Sequence, residues 1–141
     1  MDIITLRKNN WYVIKSTKTK RVKRIFKVIN DYFHYYPASI SLRPLKLVRY
    51  FCYSKTNNDV LISFFSTTWH KDLLWGDEIV EHIEDEHTVS ILNEMEKNFD
   101  KFYNSSLAKY SFSHYAEIRQ KLSAKLLSYY ISLKKSLNIS I

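Results

Sequence analysis

A single glycine, Gly76, serves a chain of 141 residues. Loops that cradle phosphate need several glycines, because the backbone must approach the ligand where a Cβ would collide. A dinucleotide fingerprint and a P-loop are therefore excluded. So are the GxxG clamp of KH domains and the glycine-bearing signature of RRM domains. One cysteine, Cys52, also removes disulfide frameworks and multi-cysteine zinc sites. It lies in the apolar run Tyr50-Phe51-Cys52-Tyr53, which points to packing rather than to a reactive thiol.

No run of eighteen apolar residues occurs, so no membrane-spanning helix is expected. The N-terminus carries Asp2 and no apolar signal core, and an intracellular protein is expected. Lys (16) far exceeds Arg (6), and Ala, Gly and Pro are scarce. That bias fits an AT-rich coding sequence, as in viruses, phages or organelles. Neither internal repeat nor linker composition appears, so one domain over residues 1–141 is expected.

Asn10-Trp11-Tyr12-Val13-Ile14-Lys15 reads as a first strand. Val22, Ile25, Phe26, Ile29, Tyr32 and Phe33 recur at steps near three and four, which predicts a helix ended by Pro37. Residues 45–54 and 60–69 are β-branched and aromatic, with Lys55-Thr56-Asn57-Asn58-Asp59 as turn chemistry between them; this predicts an antiparallel hairpin. Gly76 and Asp77 then open a pattern of fours through Ile79, Ile83, His87, Ile91, Met95, Phe99 and Tyr103. It predicts a long helix, divisible at Thr88 or Ser90, followed by a loop at 104–106. A last helix is capped by Ser111 or Ser113 and carries Tyr115, Ile118, Leu122, Leu126, Tyr129, Tyr130, Leu133 and Leu137 on its apolar side. The expected fold class is α+β: a short antiparallel sheet, one strand plus a hairpin, packed against three or four helices.

Charge is partitioned along the chain. Residues 1–55 hold 13 Lys/Arg and 2 Asp/Glu, a net +11; residues 56–104 hold 3 against 11, a net −8; residues 105–141 hold 6 against 1, a net +5. The densest basic run is Lys18, Lys20, Arg21, Lys23, Arg24 and Lys27, on the helix predicted there, with Arg43, Lys46 and Arg49 widening the patch. A polyanion is the natural partner, bound through phosphate and counterion release. Trp11, Tyr12, Tyr35 and Tyr36 are candidates to stack bases. The competing expectation is that the basic face docks on the chain's own acidic block.

The acidic block, 77–87, carries the one constellation that resembles chemistry. On a helix, Glu78, His82 and Glu86 share a face, and mixed His and carboxylate ligands suit Mn²⁺, Fe²⁺ or Zn²⁺. His70 and Asp72 are further candidates. His82 and His87 are five apart, not the four that HExxH needs, so no zincin is implied.

Three functions follow as expectations. The first is a non-enzymatic basic subunit that contacts RNA, DNA or a large assembly such as a ribonucleoprotein, with no cofactor. The second is a viral or phage interaction module engaging a host protein; an acidic protein surface is the alternative partner to nucleic acid. The third is a metal-dependent nuclease or hydrolase built on Glu78, His82 and Glu86.

Overall fold

The computed structural model describes residues 4–29, 33–35, 47–55, 60–68, 78–107, 115–137 and 139. The elements run β1 (Ile4–Leu6), β2 (Trp11–Ser16), β3 (Val22–Val28), β4 (Phe33–Tyr35), β5 (Leu47–Lys55), β6 (Val60–Thr68), β7 (Glu78–His82), α1 (Glu86–Leu107) and α2 (Tyr115–Ser136). Five strands form one antiparallel sheet in the order β6-β5-β3-β2-β7, and β1 pairs with β4 in a separate two-stranded sheet. The expected short sheet against three or four helices is therefore overturned: the fold is sheet-dominated, with two helices among the described residues.

Three elements differ from expectation, each for a physical reason. Residues 22–28 form a central strand rather than a helix. A register shift between Ile14 and Lys15 pairs Lys15 with Val22 and Ile14 with Arg24, leaving Lys23 as a bulge. The bulge sends Val22 and Ile25 to the same face although they are three apart, which imitates helical spacing. Ile25 and Phe26, adjacent in sequence, enter the two opposite cores. Phe33 belongs to β4. Residues 78–82 are an edge strand, so the pattern of fours spans a strand and then a helix. Residues 104–106 continue α1 instead of forming a loop. The strand expected first forms as β2, preceded by β1, and the β5–β6 hairpin stands as expected; its turn at 56–59 and Pro37, Gly76, Asp77, Ser111 and Ser113 lie outside the described residues.

Both faces of the sheet are buried. On one, α1 presents Ile91, Leu92, Met95 and Phe99, and α2 presents Leu122, Leu126, Tyr130 and Leu133, to Trp11, Val13, Ile25, Phe51, Ile62 and Phe64. The rings of Tyr53 and Tyr130 stack at 3.9 Å, fastening α2 to β5. The second face gathers Leu6, Tyr12, Ile14, Phe26, Val28, Val48, Tyr50 and Val80. Two-sided burial explains why β2 reads as a continuous apolar run rather than an alternation. Asp85 caps α1: its carboxylate accepts from the Thr88 backbone N–H at 3.0 Å and from the Thr88 hydroxyl at 2.5 Å. Those hydrogen bonds hold the Asp85 carboxyl below its ordinary value.

A candidate polyanion-binding end

The β2–β3 connection is built around Ser16. Its hydroxyl accepts from the backbone N–H groups of Lys18 and Thr19 at 3.2 and 3.3 Å, and its carbonyl accepts from that of Lys20 at 2.9 Å. The Ser16 N–H donates to the Arg21 carbonyl at 3.0 Å, closing the loop. The tip thus carries Lys18, Lys20 and Arg21, all exposed. Lys20 adopts the left-handed conformation at φ 62°. In a chain with one glycine, this turn and the one before β2, where Asn9 has φ 67°, use residues that carry a Cβ. Asn tolerates that region through its short polar side chain, but a lysine pays roughly 1 kcal/mol or more for it.

A second basic segment reaches the same end. Ile139 bridges Val22 in parallel, directly beside Arg21. The chain leaving α2 therefore runs to the base of the tip. Lys134 and Lys135, exposed in the last turn of α2, precede Ile139 by five and four residues. The +5 of residues 105–141 was the only sign of them in the sequence, and it did not indicate where they would sit.

Of the remaining predicted cations, Lys23, Lys27 and Arg49 are answered internally, as is Lys15. Lys23 lies 3.5 Å from Glu78, Lys15 lies 2.6 Å from Glu81, and Lys27 is paired with Glu96. Arg49 lies 3.3 Å from Glu96 and grips Asp100 with both terminal nitrogens, at 2.7 and 2.5 Å. Lys27 and Arg49 face each other across β3 and β5, so their like charges meet under α1, where Glu96 stands between them. The basic N-terminal block thus docks on the acidic middle block, the competing expectation from the sequence. Arg24 is half-buried on the second face of the sheet, and Arg43 and Lys46 lie outside the described residues.

Arg24 acts on Tyr50. Burial pushes the Tyr50 phenol from its ordinary 10.0 up to about 12, while the Arg24 charge pulls it down. The buried hydroxyl has no hydrogen-bond partner among the described residues. Because the folded pKa is raised, the folded state holds the neutral phenol more tightly than the unfolded chain does. Its contribution is complete below pH 10 and is lost as pH rises toward 12. Tyr50→Phe removes an unpaired buried polar group, and urea unfolding at neutral pH is expected to show stability unchanged or raised by about 1 kcal/mol.

The stacking candidates do not serve the tip: Trp11 and Tyr12 are 1% and 3% exposed, both in the core. Tyr36 and the side chain of Tyr35 lie outside the described residues. The carboxylate–His set is also dispersed. Glu78 and His82 stand at opposite ends of β7, and Glu78 is engaged by Lys23. His82 packs on Tyr12 at 5.2 Å between ring centroids. His82 and Glu86 line an open cleft of about 480 Å³ with Asn10, Glu84 and Glu94. Among the described residues no cluster of three His, Cys, Asp or Glu side chains is arranged to hold a metal, and His70 and Asp72 lie outside them. Among the same residues, no helix is long and apolar enough to cross a membrane. Among the described residues, the exposed large apolar side chains are spread over four elements: Leu47, Phe65, Ile79 and Ile131. No family model, curated protein or solved structure matches the chain.

Proposed function

We propose that this chain is a non-enzymatic binding protein that engages the phosphate backbone of nucleic acid through the tip of the β2–β3 hairpin. The observation that carries this reading is the left-handed lysine at the tip. A position that sterics would give to glycine holds a cation instead, between two others that are exposed. A residue kept in a costly conformation at an exposed turn points to a role for its side chain. Lys134 and Lys135, shortly before the Ile139 bridge, add cations at the end of α2, where the helix dipole favours them.

Because Trp11 and Tyr12 are buried, the contact rests on charge, with no base stacking from them. Binding is then indifferent to sequence and steeply dependent on salt. Three tip cations, or five with the end of α2, correspond to a slope of log K against log salt between about −2.7 and −4.5 on duplex DNA. The test is fluorescence anisotropy of a short labelled duplex and a labelled single-stranded RNA, titrated at several salt concentrations. Lys18→Glu, Lys20→Glu and Arg21→Glu combined are expected to weaken binding by about tenfold or more at low salt. Lys20→Gly alone is expected to stabilise the fold while weakening binding, which separates the charge from the turn. Absence of binding by the unaltered chain at low salt, or unchanged affinity in the triple variant, overturns the reading.

A further inference from the structure

The two edges of the five-stranded sheet are unlike. The β7 edge carries Glu78, Glu81 and His82 over five residues. The β6 edge runs nine residues, Val60–Thr68, without a charge or a proline. Charges and prolines are the usual means by which a sheet edge avoids pairing with another strand.

The direction of the backbone on β6 follows from two independent hydrogen bonds. The Ile29 N–H donates to the Leu47 carbonyl at 3.0 Å, so the odd-numbered residues of β5 face β3 and the even-numbered ones face β6. In the observed register this leaves the backbone groups of Ile62, Phe64 and Ser66 pointing outward. The Ile62 N–H confirms it by donating to the Ser123 hydroxyl of α2 at 2.9 Å. Ser123 therefore covers the edge at Ile62. Beyond that point the outward groups of Phe64 and Ser66 meet no partner among the described residues. Phe65 between them is 48% exposed, its ring tilted against Tyr50 on the second face.

We propose that two copies of the chain pair through this edge, β6 against β6, antiparallel about a two-fold axis at Phe65. In that register Phe64 of each copy exchanges backbone hydrogen bonds with Ser66 of the other. Phe65 meets its own equivalent in the non-hydrogen-bonded position, where side chains approach most closely. The segment is thus self-complementary in both hydrogen bonding and apolar surface, as a two-fold interface requires. Charge selects this edge as well. Self-pairing of β6 brings no like charges together, whereas self-pairing of β7 would gather the four Glu side chains of two copies into one short ladder. Ser123 limits the pairing to about five residues, well short of the roughly 1,200 Å² of a stable interface, so a weak dimer on the order of 100 µM is expected.

Analytical ultracentrifugation over a concentration series, on protein freed of nucleic acid, tests the pairing. A monomer–dimer equilibrium that tightens as salt rises is expected, since each copy carries a formal +8. That sign is opposite to the salt dependence of nucleic-acid binding, so the two proposals stand or fall separately. Ser66→Pro removes an N–H that points away from the sheet, leaving the ladder with β5 intact, and a proline is tolerated there. This variant is expected to remain monomeric with unchanged urea unfolding. Phe65→Glu, which sets like charges across the axis, is also expected to remain monomeric. Hydrogen exchange at Phe64 and Ser66 is expected to slow with concentration in the unaltered chain. A chain that stays monomeric at every concentration leaves the edge to a strand from another protein and overturns the proposal. So does a Ser66→Pro variant that dimerises as strongly as the original.

Discussion

Replacing Trp11 with alanine is expected to cost roughly 3–5 kcal/mol, the range for truncating a buried large aromatic. Trp11 is 1% exposed, and three elements meet on it. Its indole N–H donates to the Asn93 side chain of α1 at 2.8 Å. Its ring meets Phe64 of β6 edge-on at 6.0 Å, and the Lys27 ammonium lies 5.5 Å over it. Truncation opens a cavity, unpairs Asn93 and strips the face of a cation already held in the core. Against a total stability of about 5–15 kcal/mol for a domain of ordinary size, such a loss leaves the chain near its unfolding threshold at ambient temperature. Urea unfolding followed by far-ultraviolet circular dichroism measures it. Trp11→Phe is expected to recover most of the packing but not the hydrogen bond. A loss below about 1 kcal/mol in Trp11→Ala would show that this core repacks freely.

Glu96→Ala should cost about 3 kcal/mol, because it leaves the facing cations Lys27 and Arg49 with their shared counter-charge gone. The three side chains are 10%, 18% and 17% exposed, so water screens them poorly. Arg49 keeps Asp100, and its guanidinium still lies 5.7 and 5.8 Å over Phe64 and Phe99; Lys27 keeps the face of Trp11. The loss is therefore concentrated in the repulsion between the two cations. Asp100 is itself 41% exposed, and Asp100→Ala is expected to cost no more than about 1 kcal/mol. A double-mutant cycle on Glu96 and Lys27 isolates the coupling. If Glu96→Ala is no more damaging than Asp100→Ala, the network is a surface feature and not part of the core.

Much of the sheet was legible one element at a time. The strand at Trp11–Ser16 and the hairpin of β5 and β6 announce themselves through β-branched and aromatic runs bounded by turn residues. The spacing of Ile91, Met95 and Phe99 and that of Leu122, Leu126 and Leu133 likewise mark α1 and α2. The β3 strand was not legible. A bulge at Lys23 and burial on both faces erase the alternation that identifies a strand, leaving a spacing that a helix would also produce. Reading β3 as a helix then displaced the candidate site. Its six cations, spread over one solvent face on a helix, are divided by the strand between an exposed tip, a bulge, the second face and the interior under α1.

The residues by themselves determined what this chain is not, and how its charge is divided. A single glycine excludes the glycine-rich phosphate loops whatever the fold, because a Cβ collides with a bound phosphate in any topology. The blocks of +11, −8 and +5 are likewise independent of structure. Only the tertiary structure decided which charges face water, since that depends on strand register and on which element covers each face. It sends Lys27 and Arg49 inward to Glu96, and leaves Lys18, Lys20 and Arg21 at the tip. Through the bridge between Val22 and Ile139, it also brings the segment that follows α2 beside Arg21. The scarcity of glycine has its structural counterpart there, in a lysine at φ 62°.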